Sequence, residues 1–195
     1  MSRFNTIGVL ASLCLLSLNC FSSRTYYEPY VEPQYRIMGY GNISQRILGN
    51  FLLSKNPSLQ EQYARYIAAL YVMESDIEGI NHDVAFAQMC HETGYLAYGG
   101  VVEPDQNNFA GLGAFDDYTP GDKFASVEEG VRAHIQHLKS YASDQPLGNP
   151  PVNRRFNSAR RGSISSIYGL TGLWATDPLY AEKIKSVVDQ LYAWQ

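Results

Sequence analysis

Cysteine is nearly missing from this chain of 195 residues: of its three, Cys14 and Cys20 fall in the first twenty positions, leaving Cys90 alone in the body. A lone thiol excludes an internal disulfide, so packing must hold the fold together. Positive charge is scarce too, with a formal net charge of −4 that becomes −5 once Arg3 is lost with a leader. That balance excludes the clustered cationic surface that a phosphate backbone demands, and nucleic acid is not an expected partner. The local exception is NRRFNSARRG, where Arg154, Arg155, Arg160 and Arg161 read as a solvated face or as a contact for acidic polymer. Alternating apolar runs long enough for a strand are lacking, which leaves room for a small hairpin at most. HETGY lacks the second histidine of HExxH, so the zinc-protease motif fails. His134 and His137 stand at i and i+3 without acidic or thiol neighbours, and neither a metal nor another cofactor is expected.

What is present starts with an export signal over residues 1–20, where Arg3 precedes the apolar run IGVLASLCLLSL. The stretch LSLNC resembles a bacterial lipoprotein signal, which implies lipid on Cys20, although Asn19 departs from the small residue usual before that cysteine. Lipid attachment and plain secretion both stay open, and both send the chain to the periplasm, envelope or exterior. Residues 21–43 are rich in Tyr, Pro and Gly without a period, and read as a spacer or an arm laid over the surface.

From residue 44 to 195 the pattern predicts one all-helical domain. Ser44 caps a first helix, and SLQE at Ser58 and Glu61 forms a capping box for a second that Gly79 ends. Its inward stripe is Leu59, Tyr63, Tyr66, Ile67, Leu70 and Met73. Asp83 caps a third helix, apolar on nearly every side, which belongs at the centre of a bundle. A long loop dense in Gly and Asn follows, then a helix opened by the box at Ser126 and Glu129, and a last one opened by Asp177 and Pro178. The last helix buries Leu179, Ile184, Val187, Val188, Leu191 and Trp194.

The third helix runs straight into Glu92. Burial and the negative end of the helix dipole both push that carboxyl toward its neutral form, as a proton donor for glycoside cleavage requires. A surface glutamate just past a helix end would show no such shift. FAQMCHETG, then NNFAGLGA, then ATDPLYAEKI, in that order, resemble the glucosaminidase domain of bacterial autolysins, family 73 of the glycoside hydrolases, over residues 44–194. The resemblance implies a lysozyme-like helical fold, Glu92 as the general acid, and hydrolysis of the β-1,4 bond after N-acetylglucosamine in peptidoglycan strands.

On the matched positions, Asn107, Asn108 and Phe109 would meet sugar with amides and a ring, and Gly111 and Gly113 would let the backbone come close. Trp174 stands where relatives often carry Tyr, which removes a hydroxyl and leaves a wall for the sugar site. Tyr180 reads as a core tyrosine or a sugar contact, and His137 as a cross-helix hydrogen bonder or a lining residue. A second carboxylate is expected at Asp116 or Asp117, ahead of Glu103 and Asp105, unless the substrate's own acetamido oxygen assists. Rival readings are a glycan-binding or envelope scaffold without catalysis, a lytic transglycosylase, and a wall amidase using Cys90. The last conflicts with a cysteine near the C-terminal end of an apolar helix, where nothing lowers its pKa.

Overall fold

The computed structural model describes residues 30–114, 118–152, 156 and 161–194. Among them are five α-helices and no strand: α1 (Gln45–Lys55), α2 (Glu61–Glu78), α3 (His82–Glu92), α4 (Val127–Ala142) and α5 (Tyr180–Ala193). Extended pairing is limited to isolated bridges, such as Arg36 with Ser166 and Met38 with Ile80. The expected all-helical architecture is the one observed. Residues 1–20, Cys20, Asp116, Asp117, Arg154, Arg155 and Arg160 lie outside the described residues.

Helix α3 is the axis of the bundle. Every residue from His82 to Cys90 is buried, and α2, α4 and α5 pack around it. A helix apolar on all sides has no solvent face to present, so the other helices wrap it and turn their stripes inward. The core runs through Phe51, Leu52, Ile67, Tyr71, Phe86, Met89, Ile135, Ile184 and Val188.

Several local expectations shift by a few residues. Ser44 caps α1 by accepting from the Ile47 amide, and Gly79 ends α2 at φ 70°, both as expected. The box at Ser58 does not form, because Asn56 Oδ1 accepts both the Ser58 amide and its hydroxyl, and α2 starts at Glu61 instead. Asn81, not Asp83, caps α3. Asp83 is buried and accepts the amides of Asn42 and Ile43, tying the segment before α1 to the core helix. Asp177 holds the Leu179 amide in a turn before α5 rather than opening the helix. Tyr66, Met73, Leu179 and Trp194 are exposed, not buried; the inward face of α2 is Ala64, Ile67, Ala68, Tyr71, Glu74 and Ser75.

Residues 31–43, read as a spacer or arm, pack with the helices. Ile37 is fully buried, its amide donates to Ser165 O, and its carbonyl accepts from Asn81. Tyr35 Oη donates to Asp189 on α5.

Two buried ion pairs join α2 to α4. Glu74 takes a two-point contact from Arg132 at 2.8 and 3.0 Å. Glu78 receives Lys139 Nζ at 2.9 Å and the amides of Gly148 and Asn149. Burial pushes the Glu78 carboxyl up, but the hydrogen bonds of these three partners and the charge of Lys139 outweigh it and hold the pKa below the usual range.

Candidate active site

Glu92 is the last residue of α3, partly buried, and it lines a cavity of about 220 Å³ with Thr93, Tyr98, Val101, Val102 and Gly111. Its Oε1 atom accepts Trp174 Nε1–H at 3.0 Å and the Tyr180 hydroxyl. Both lone pairs of Oε1 are thereby used. Oε2 faces Gly111, where an added Cβ would sit 3.6 Å away. Burial raises the Glu92 pKa, and the two donors, which favour the anion, only partly offset it.

The chain leaves Glu92 through a left-handed turn. Gly94, Tyr95 and Leu96 have φ of 56°, 58° and 60°, and Tyr98 follows at 59°. Each left-handed L-residue costs roughly 1–2 kcal/mol, so the turn needs support. Thr93 provides it: its hydroxyl donates to Met89 O at 2.8 Å and accepts the Leu96 amide at 2.9 Å. The Tyr95 amide closes on Cys90 O, the Tyr98 amide on Thr93 O, and Asn56 Nδ2 holds Tyr95 O from α1. Strain of this kind gathers where a side chain must be aimed. Here it reverses the chain directly behind the acid, and Gly94 of the turn lines the cavity.

The opposite wall is built by the NNF loop, and its side chains do not do what the sequence predicts. Asn108 is fully buried: its Nδ2 donates to Leu112 O and Asp122 O, and its Oδ1 accepts from the Ala110 and Leu112 amides. Phe109 is 1% exposed and belongs to the core. Asn107 spends its amide on Phe124 O and takes a left-handed φ of 51°. The loop is thus organised from within: Asn108 borders the Glu92 cavity but its amide is taken up by the loop backbone, and Phe109 packs in the core, because a buried amide in an irregular loop must satisfy backbone groups that no helix or sheet satisfies. Gly111, at φ 62°, remains as the residue that lets the backbone approach Glu92.

Trp174 and Tyr180 reach the acid from 82 and 88 residues away. Trp174 packs on His134, His137 and Tyr141, with ring centroids 5.7, 5.0 and 5.9 Å apart. Tyr180 is 2% exposed, and burial beside Glu92 raises its pKa well above that of a free phenol, so it stays a donor. Its hydroxyl on Glu92 makes it more than core filling. His137 is half-buried against Trp174 and Tyr141.

Gln88 is a buried polar residue beside the site that sequence reasoning missed. It is fully buried one turn before Glu92, with Nε2 donating to Tyr180 Oη at 2.8 Å and Oε1 3.0 Å from His134 Nε2. A lone amide inside FAQMC was the available signal, since a buried amide must find partners. With both of its nitrogens in such contacts, His134 is not free to hold a metal.

Cys90 is fully buried, and desolvation pushes its thiol pKa up, the reverse of what a nucleophile requires. Of the other acids, Asp105 pairs with Lys123 at 2.7 Å in solvent, and Glu103 caps the turn Pro104–Gln106.

A family model described as mannosyl-glycoprotein endo-beta-N-acetylglucosaminidase matches residues 68–193. A protein of Borreliella burgdorferi, itself uncharacterized, is 43% identical over 155 residues, covering 80% of this chain and 76% of the relative. The fold is similar to that of S. aureus autolysin E, solved in complex with the muropeptide NAM-L-ALA-D-iGLU: the TM-score is 0.51 at 16% identity, over 82% of this chain and 71% of that one. A catalytic mutant of that autolysin, solved with the disaccharide NAG-NAM, gives a TM-score of 0.53 at 14% identity, over 84% and 73% of the two chains.

Proposed function

Because the chain belongs to the mannosyl-glycoprotein endo-beta-N-acetylglucosaminidase family, and is a glycoside hydrolase, we propose that Glu92 is its general acid and that peptidoglycan strands are its substrate. The observation that carries this is the asymmetry of the carboxyl: Oε1 is held by Trp174 and Tyr180 while Oε2 turns toward Gly111 at the cavity. With Oε1 saturated, the acid's proton resides on Oε2, aimed at an incoming glycosidic oxygen. Proton transfer from Oε2 to that oxygen accompanies cleavage of the C1–O bond after N-acetylglucosamine, and water adds to the oxocarbenium-like carbon.

Asp116 and Asp117 follow Ala114, which lines the cavity, by two and three positions in sequence, and one of them supplies the second carboxylate in this reading. The solved neighbours carry a muropeptide and the disaccharide NAG-NAM, which supports the wall polymer as the class of substrate. A wall substrate agrees with export through residues 1–20 and with lipid attachment at Cys20.

The test is digestion of purified peptidoglycan followed by mass analysis. New reducing ends on N-acetylglucosamine are expected; anhydro-muramic ends would identify a transglycosylase, and binding without cleavage a scaffold. Glu92→Gln should abolish turnover with the fold intact, and retained activity would remove it as the acid. Asp116→Asn and Asp117→Asn, assayed separately, identify the second group, and full activity in both leaves the substrate acetamide in that role.

A further inference from the structure

Behind Glu92 lies a buried chain of polar side chains contributed by four helices. Tyr71 Oη on α2 is 2.9 Å from His134 Nδ1 on α4, and His134 Nε2 is 3.0 Å from Gln88 Oε1 on α3. Gln88 Nε2 is 2.8 Å from Tyr180 Oη on α5, which meets Glu92 Oε1. Tyr71, His134 and Gln88 are fully buried.

Such a chain has a direction. Tyr180 carries one hydroxyl hydrogen; if it goes to Glu92, the phenolic oxygen accepts from Gln88 Nε2. The Gln88 carbonyl then faces His134, which donates from Nε2 and accepts the Tyr71 hydroxyl at Nδ1. Reversed, the Gln88 carbonyl takes the Tyr180 hydrogen, Glu92 Oε1 loses a donor, and the Tyr71 hydrogen no longer has His134 as its acceptor inside the core. Burial holds His134 neutral, with a pKa lowered to about 3, so its ring keeps one donor and one acceptor nitrogen across the working range.

We infer that Gln88, His134 and Tyr71 are positioning residues that fix Tyr180 as a donor to Glu92 Oε1 and so leave Oε2 as the oxygen that delivers the proton. This rests on Glu92 being the general acid. The titratable groups packed around the set are His91 and Cys90 on α3 (5.6 Å between the rings of His91 and Tyr180), Tyr63 on α2, His137 and Tyr141 on α4 against Trp174, and Tyr98 across the cavity.

The test is the pH profile of kcat/KM on peptidoglycan. A general acid must be protonated, so activity falls above its pKa, and losing a donor on Oε1 raises that pKa. Gln88→Met and Tyr180→Phe should move the alkaline limb up by roughly half a unit or more, with kcat reduced about tenfold and KM within about twofold. Tyr71→Phe, far from the substrate, should move it in the same direction by less. His134→Gln, whose amide can accept from Tyr71 and donate to Gln88, should restore the wild-type limb, whereas His134→Leu should not. If Gln88→Met does not fold, Tyr71→Phe and the His134 pair carry the test. An infrared titration of the Glu92 carboxyl then reads its pKa without turnover. A limb that stays in place in folded variants, or moves down, overturns the inference, and so does lowered thermal stability with an unchanged limb. Activity retained in Glu92→Gln overturns the underlying assignment instead, and the two failures are told apart by that single control.

Discussion

The indole nitrogen of Trp174 lies 3.0 Å from Glu92 Oε1, so a residue expected only to wall the sugar site is a hydrogen-bond donor to the acid. Trp174→Phe keeps a ring against His137 and Tyr141 but deletes this donor. The alkaline limb of kcat/KM should rise, as for any lost donor on the anion, and kcat should drop about tenfold. An unchanged profile would mean that the indole only fills space.

Glu92→Gln should raise stability at neutral pH while ending activity. Burial lifts the Glu92 pKa above its unfolded value, so the folded chain binds the extra proton and stability falls as pH climbs through that window. The amide carbonyl still accepts from Trp174 and Tyr180 and carries no charge to desolvate. Thermal melts across acid and neutral pH should show the variant's advantage at neutral pH and its disappearance in acid.

Lys139→Met should destabilise the fold by roughly 3–5 kcal/mol, because it leaves the Glu78 carboxylate buried without its cation. Glu78 has a depressed pKa, so its contribution is present above the ordinary carboxylate range and is lost as pH falls through the lower folded value. Urea titrations at pH 7 and in acid should show the gap between wild type and variant narrowing as pH falls.

Gly94→Ala should cost about 1 kcal/mol: φ is 56°, but the new methyl meets nothing nearer than Tyr98 O at 3.8 Å. Gly130→Ala should cost about 3 kcal/mol or more, since its Cβ would stand 1.8 Å from Asn107 O. Denaturant midpoints of the two variants separate backbone strain from collision.

Cys90→Ala should leave the activity on peptidoglycan within about twofold, since the thiol is core filling, and lower stability by about 1–2 kcal/mol through the small void. Loss of activity in a folded Cys90→Ala protein would revive the thiol reading.

What the sequence made legible was local. Ser44, Gly79 and the Ser126 cap work within one turn, and the all-round apolarity of α3 announces its central place. The box at Ser58 was misread because Asn56, two residues earlier, competes for the same hydroxyl and amide. Asn108 and Phe109 look like sugar contacts in a glycine-rich loop, yet a loop of that length must first satisfy its own backbone and core. The contacts of Glu92 with Trp174 and Tyr180, and of Gln88 with His134, join positions 46 to 88 residues apart. No periodicity encodes them; they follow only from how α3, α4, α5 and the segment before α5 pack.

The gap at Gly130 ties two otherwise separate pieces of the molecule into one mechanical part. The Asn107 carbonyl occupies the space a side chain would take in the first turn of α4, so that turn and the NNF loop cannot separate independently. Amide protons of residues 106–112 and 127–131 should therefore exchange with deuterium at a common rate. The cavity wall would then open only when the helix end frays, giving the enzyme a stiff rim in place of a mobile flap.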